Sequence, residues 1–281
     1  MDIEIVPTGA CAGAQIRGVD LTQPIDEATF AAIERAFDTH GVIFFRDQHI
    51  SPQQQVELSR RFGELQINVF SERWGIPECP EIVVLSNITK DGKPTGVRRA
   101  GDRWHSDMSY TARPPRGTML RAIEVPVLEG LPLGDTMFAN AAAAWEALPA
   151  SMRERIDALQ GVFDFSARKR GYAVTDDEKK RFPPVRHPIV RTHARTGRKS
   201  LYVMRDDCTG IVGMEQAEAQ ALIEALADHI VRPEFVYRHR WRSGDVLLWD
   251  NCTVQHQAVL DYDLPQRRLM HRTTMGVSVP A

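Results

Sequence analysis

Between Glu234 and Val277 the chain holds four strand candidates in quick succession: Glu234 to Trp241, Asp245 to Asp250, Thr253 to Leu260 and Leu269 to Val277. The gaps between them are too short for a helix. Parallel neighbours need a crossover of a dozen residues or more, so these strands cannot be successive members of a doubly wound sheet. Helices early and clustered strands late predict a mainly β fold with flanking helices, a sandwich or jelly roll.

The rest of the chain fits that expectation. Ile3 to Pro7, Ala14 to Val19, Gly41 to Phe45, Glu81 to Ser86, Ile189 to His193 and Ser200 to Met204 read as strands. Asp26 to His40 reads as a helix, with Phe30, Ile33 and Phe37 at helical spacing, Asp26 as its cap and Gly41 as its stop. Ser51-Pro52-Gln53-Gln54 opens a second helix running to about Phe62. Further helices are expected at Ala141 to Leu148, Ser151 to Leu159 and Met214 to His229. No repeat or Gly/Ser linker divides the sequence, so one domain over residues 1–281 is expected. Two long polar or charged stretches, near 71–103 and 166–183, are expected to serve as lids.

Composition removes several function classes. Lys and Arg number 35 against 37 Asp and Glu, a net charge of −2, without the basic excess of a nucleic-acid or membrane-surface binder. No apolar run approaches the ~18 residues of a membrane span. Met1-Asp2-Ile3-Glu4 is acidic and leads into no apolar core of a secretory signal. The four cysteines, Cys11, Cys79, Cys208 and Cys252, form no CxxC pair, so neither a disulfide framework nor a zinc knuckle is expected. A cytoplasmic protein is the expectation. Neither GxGxxG after a strand nor GxxxxGK[ST] occurs.

The chemistry gathers around Trp104-His105-Ser106-Asp107. On an extended segment His105 and Asp107 project side by side, giving two corners of a metal site. Two histidines and one carboxylate, with open positions beside them, make the ligand set of non-haem Fe(II) oxygenases. Farther on, Val254, His256, Ala258 and Leu260 alternate on one strand face, and Arg268, Met270 and Arg272 on the next. Two buried guanidiniums are costly unless each meets an anion. An inward histidine with two inward arginines describes a site for a metal and two small acids.

At these residues the chain resembles the taurine dioxygenase and 2,4-dichlorophenoxyacetate dioxygenase family of Fe(II)/2-oxoglutarate enzymes. GVDLTQPID, GVIFFRDQ, WHSD (104–107), GDTMFANA (134–141), HPIVRTHARTGRKSLYV (187–203), WDN (249–251) and DYDLPQRRLMHRTT (261–274) carry the resemblance. It implies a double-stranded β-helix, Fe(II) on His105, Asp107 and His256, and O2 and 2-oxoglutarate as cosubstrates. Thr136 and Arg268 would hold the distal carboxylate of 2-oxoglutarate, and Arg272 the acidic group of a small organic acid substrate. Asp263 stands as an insertion relative to the taurine enzyme, which makes Arg267 a second candidate for the clamp. Around Asn68, Val69 and Phe70, and at Gly101, the taurine enzyme's amine-recognising residues are replaced. The expected substrate is therefore larger and more apolar than taurine, an aryloxyalkanoate or other hydrophobic acid, with alkyl sulfonates or sulfate esters as the alternative. A homo-oligomer, dimer or tetramer, is expected. The rival reading from another class is a non-catalytic jelly-roll protein sensing an organic acid through its arginines.

Overall fold

A computed structural model describes residues 3–67, 69–167 and 174–280, with the backbone alone at Val69 and Phe70. Ten strands carry the architecture: β1 (Glu4–Pro7), β2 (Ala14–Arg17), β3 (Val42–Phe45), β4 (Cys79–Ser86), β5 (Gly117–Glu124), β6 (Thr136–Asn140), β7 (Val236–His239), β8 (Val246–Asp250), β9 (Val254–Ala258) and β10 (Leu269–Met275). Seven of them form one sheet in the order β1-β2-β3-β8-β5-β10-β4, edged by the two-residue strand Gly75–Ile76. A smaller sheet has the order β7-β6-β9.

The four late strands are dealt alternately to the two sheets, β7 and β9 to the small one, β8 and β10 to the large one. Each pairs with a strand from earlier in the chain and not with its successor. The polypeptide thus winds across a shared interior, which is the jelly roll expected from their spacing.

Side-chain alternation builds the layers. Leu120, Phe138, Leu247, Trp249, Val254 and Met270 meet between the sheets. Met119, Leu248 and Met275 point the other way and pack under α1 (Glu27–His40) and α2 (Pro52–Arg61) with Ile33, Phe37 and Phe62. Each such side chain stabilises by about 1.5–3 kcal/mol when fully buried. The helices start and stop where the sequence indicates. The Asp26 carboxylate accepts the Thr29 N–H at 2.7 Å, and Gly41, at φ +68°, closes α1 by donating to the Phe37 carbonyl. Ser51 and Gln54 form a capping box on α2. On the far side α3 (Gln216–Ile230) buries Leu222, Ile223, Leu226 and Ile230 against Phe163, Ile189 and Tyr202.

Several features depart from the sequence reading, which assigns no strand at β6, Gln160–Phe163, Val185–Pro188 or Cys208–Ile211. β5, in the middle of the large sheet, was not assigned, because Arg121 and Glu124 break its apolar run while Thr118, Leu120 and Ala122 still face inward. A short helix, Asp176–Arg181, opened by a Thr175–Glu178 capping box, stands in the charged stretch expected as a lid; residues 168–173, also within that expected lid, lie outside the described residues. The predicted strand from Glu234 begins instead as a 3-10 turn, Pro233–Phe235. Among the described residues, no helix is long and apolar enough to cross a membrane.

Candidate metal and cosubstrate site

One backbone bridge places the two histidines. The His105 N–H donates to the His256 carbonyl at 3.1 Å, and the His256 N–H returns the bond at 2.8 Å. This stitches the WHSD segment onto the edge of β9. Facing residues of an antiparallel pair project to the same side, and the two rings lie with centroids 4.1 Å apart. Asp107, two residues beyond His105, completes the group: its Oδ1 is 3.8 Å from His105 Nε2 and 4.0 Å from His256 Nε2. One ligand atom from each residue can be chosen so that all lie within 4.8 Å of one another, and all three residues are buried.

The donor set fits a divalent metal. His105 Nδ1 lies 2.7 Å from the Arg103 carbonyl, a contact that requires the proton on Nδ1 and turns the lone pair of Nε2 toward Asp107. Burial would push the Asp107 carboxyl up. The Arg272 guanidinium, His256, His105 and a hydrogen bond from Thr118 together hold it well below the usual carboxylate range, so it stands ready as an anionic ligand. The His256 ring packs 4.6 Å from that of Trp249, at the inner face of the small sheet.

Two arginines stand nearby in different states. Arg272 reaches Asp107 Oδ1 with Nη1 at 3.5 Å. Arg268 is 7% exposed, lies over the Tyr262 ring, and pairs with no carboxylate among the described residues. Burial lowers its pKa, with Tyr262 acting in the opposite sense. Its neighbour Arg267 is exposed and tied to Glu124 by two contacts of 3.0 Å. Gly134 packs so closely on Arg268 that a Cβ there would lie 3.3 Å from Nε. Two residues on, buried Thr136 accepts a hydrogen bond from Trp241 Nε1 at 3.0 Å, leaving its own hydroxyl proton to donate.

Of the other residues singled out, Gly101 lies against His105: a Cβ there would be 3.3 Å from Cε1, and φ is +78°. Asn68 and the Phe70 side chain lie outside the described residues. Sequence reasoning passed over Thr118, which bonds directly to Asp107, and read Asn251 only as part of WDN. The inward alternation of β5 was the signal for the first; nothing local marks the second.

The family model described as "Taurine catabolism dioxygenase TauD, TfdA family" matches residues 4–274. The chain belongs to that dioxygenase family. It is 32% identical to the α-ketoglutarate-dependent 2,4-dichlorophenoxyacetate dioxygenase of Cupriavidus pinatubonensis, over 98% of both chains. It is also 32% identical to the α-ketoglutarate-dependent sulfate ester dioxygenase of Pseudomonas putida, over 100% of this chain and 91% of that one. Among solved structures, AAD-2 in complex with Mn(II) and N-oxalylglycine aligns with a TM-score of 0.85 at 30% identity, over 100% of this chain and 98% of that one. A taurine dioxygenase from Burkholderia xenovorans aligns with a TM-score of 0.83 at 33% identity, over 100% and 93%. This TauD/TfdA member is thus a 2-oxoglutarate-dependent non-haem iron dioxygenase, with Fe(II), 2-oxoglutarate and O2 as its cofactor and cosubstrates. The reading as a non-catalytic binding protein falls with that membership.

Proposed function

We propose that this chain hydroxylates a small, largely apolar organic anion at the expense of 2-oxoglutarate. In this reading His105, Asp107 and His256 hold Fe(II), Arg268 and Thr136 take the distal carboxylate of 2-oxoglutarate, and Arg272 takes the anionic end of the substrate. Bound Fe(II) would supply the redox chemistry by which O2, 2-oxoglutarate and a substrate C–H become succinate, CO2 and the hydroxylated substrate. Where the hydroxylated carbon carries an ether or ester oxygen, the product collapses and the C–O bond breaks.

The observation that carries the cosubstrate reading is buried Arg268, a guanidinium with no carboxylate partner among the described residues. A desolvated cation of that kind is stabilised by an anionic ligand, and its planar fork suits a carboxylate. The Thr136 hydroxyl, which accepts from Trp241 and keeps its proton free to donate, adds a second donor. Arg267 is spent on Glu124 at the surface and is the weaker candidate.

For the substrate, two observations favour an apolar body behind an anionic head. Trp74, Val97 and Ala100 from the 71–103 stretch pack onto the cluster between the sheets. The curated relatives named above act on a phenoxyacetate and on sulfate esters. Apolar contact at about 25 cal/mol per Å² then dominates binding beyond the anion. Asn68 and Phe70 are assigned to the substrate end, and the 71–103 and 166–183 stretches to lids of a single-domain, cytoplasmic homo-oligomer.

The test is succinate release and kcat/KM for phenoxyacetate, hexanesulfonate, a hexyl sulfate ester and taurine. One of the first three is expected to be best. Taurine as the best of the four would contradict the substrate reading.

A further inference from the structure

Asp107 is held by two buried residues that sequence reasoning did not single out for it. Thr118, on β5, is the register partner of Trp249 on the neighbouring strand β8, and Asn251 follows immediately after β8. Thr118 is 0% and Asn251 1% exposed. Four hydrogen bonds connect them: Asp107 N–H to Asn251 Oδ1 at 3.3 Å, Trp249 Nε1 to Asn251 Oδ1 at 3.1 Å, Asn251 Nδ2 to Thr118 Oγ1 at 3.2 Å, and Thr118 Oγ1 to Asp107 Oδ2 at 2.6 Å.

Donor bookkeeping gives this chain a direction. A backbone N–H and an indole N–H can only donate, so the Asn251 atom that receives both must be the carbonyl oxygen. The amide nitrogen then faces Thr118 and must donate to it. A hydroxyl carries one proton, and with its oxygen already accepting from Asn251, Thr118 turns that proton to Asp107 Oδ2. The carboxylate is thereby fixed: Oδ2 is engaged by the Thr118 hydroxyl at 2.6 Å, and Oδ1 is the oxygen turned to both imidazoles, with Arg272 Nη1 at a longer 3.5 Å. The scaffold is itself tied down. The Asn251 carbonyl accepts from Ser106 Oγ at 3.0 Å and its N–H donates to the Arg116 carbonyl at 2.9 Å.

We propose that Trp249, Asn251 and Thr118 form a one-way hydrogen-bond relay that decides which Asp107 oxygen is offered to the metal. Asn251 and Thr118 are positioning residues. With Oδ2 withheld, Asp107 would offer Oδ1 alone to a metal held with His105 and His256. This rests on the assignment of His105, Asp107 and His256 as metal ligands.

The test uses full-length apoprotein titrated with Co(II), read by its visible ligand-field spectrum, with thermal unfolding of each apoprotein as the check on folding. Thr118→Val keeps the side-chain shape but removes the donor. It is expected to weaken Co(II) binding about 10- to 100-fold, the range for outer ligands of a metal site, and to alter the spectrum as Oδ2 is released. Thr118→Ser, which retains the hydroxyl, is expected to restore both affinity and spectrum. Asn251→Asp replaces the amide donor by a second acceptor that competes for the Thr118 proton, so it should behave like Thr118→Val. Wild-type affinity and spectrum in Thr118→Val, or a Thr118→Ser variant as weak as Thr118→Val, would overturn the relay while leaving the metal site standing. A wild-type protein that binds no Co(II) would overturn the metal site and the relay together.

Discussion

Two buried clusters in this protein look alike as lists of residues. His105, Asp107 and His256 form one; His193, Asp250 and Cys252 form the other, and in each the candidate ligand atoms lie within 4.8 Å of one another. Their hydrogen bonding separates them. In the second, His193 Nδ1 accepts from the Arg195 and Thr196 N–H groups, and Nε2 lies 3.1 Å from Asp250 Oδ2. The Asp250 oxygens are taken by the Cys252 N–H at 2.8 Å and the Thr253 hydroxyl at 2.9 Å. Burial pushes the Cys252 thiol up to about 12, so it stays protonated, and it contacts Ser278 Oγ at 3.0 Å. A metal needs deprotonated ligands with their lone pairs turned to one point. In the first cluster, protein bonds to the outer atoms (His105 Nδ1 and Asp107 Oδ2) turn the inner atoms toward each other. Proximity is common to both clusters; the direction of donors and acceptors suits the first to the metal proposed for it and the second to bracing the turn that carries Asn251.

The largest effect is expected at Asp107. Asp107→Ala removes a ligand and should lower metal affinity by more than the roughly 100-fold upper range for outer-shell changes, with turnover falling to background in a succinate assay. The second cluster should answer to stability instead. Asp250→Asn weakens a fully buried set of hydrogen bonds to a carboxylate and is expected to cost about 1.5–3 kcal/mol in denaturant unfolding of the apoprotein, with a smaller change in metal affinity than Thr118→Val because it reaches Asp107 only through Asn251. Its pH dependence has a definite sign. Although burial opposes it, His193, Cys252 N–H and Thr253 hold the Asp250 carboxyl below its ordinary value of 3.8. Its stabilising contribution is therefore complete above about 3.8 and lost as pH falls through the folded value, and the Asn variant should lack that component.

Arg268→Gln comes next. Removing one partner of a buried charge pair costs about 2–5 kcal/mol, so the half-saturating 2-oxoglutarate concentration should rise about 30-fold or more. Arg267→Gln, which gives up an exposed pair worth at most ~1 kcal/mol, should leave it nearly unchanged. The reverse ranking would show that the clamp is one residue earlier in the chain. Smallest of all is Cys252→Ser, for which Co(II) titration should return the wild-type affinity.

The comparison also marks what the sequence could disclose. His105 and Asp107 were legible because a spacing of two on an extended segment places side chains together, and His256 because it alternates with apolar residues on a strand. The jelly roll was legible in the short gaps between the last four strands. Arg268 could be told from Arg267 only once the fold showed one buried under Tyr262 and the other at the surface. Thr118 and Asn251 act through contacts of 11 and 144 residues' separation with Asp107, which no local pattern encodes. The His193 cluster shows the converse: side chains with ligating atoms, brought together by the fold, whose hydrogen-bond partners assign them another task.

The most direct test of the metal assignment is anaerobic titration of Fe(II) into the apoprotein with 2-oxoglutarate, followed by the visible charge-transfer absorption of the iron–keto acid chelate. The wild-type protein and Cys252→Ser should both develop the band and saturate near one equivalent of iron, whereas Asp107→Ala should develop none. A band of wild-type strength in Asp107→Ala, or its loss in Cys252→Ser, would contradict the assignment.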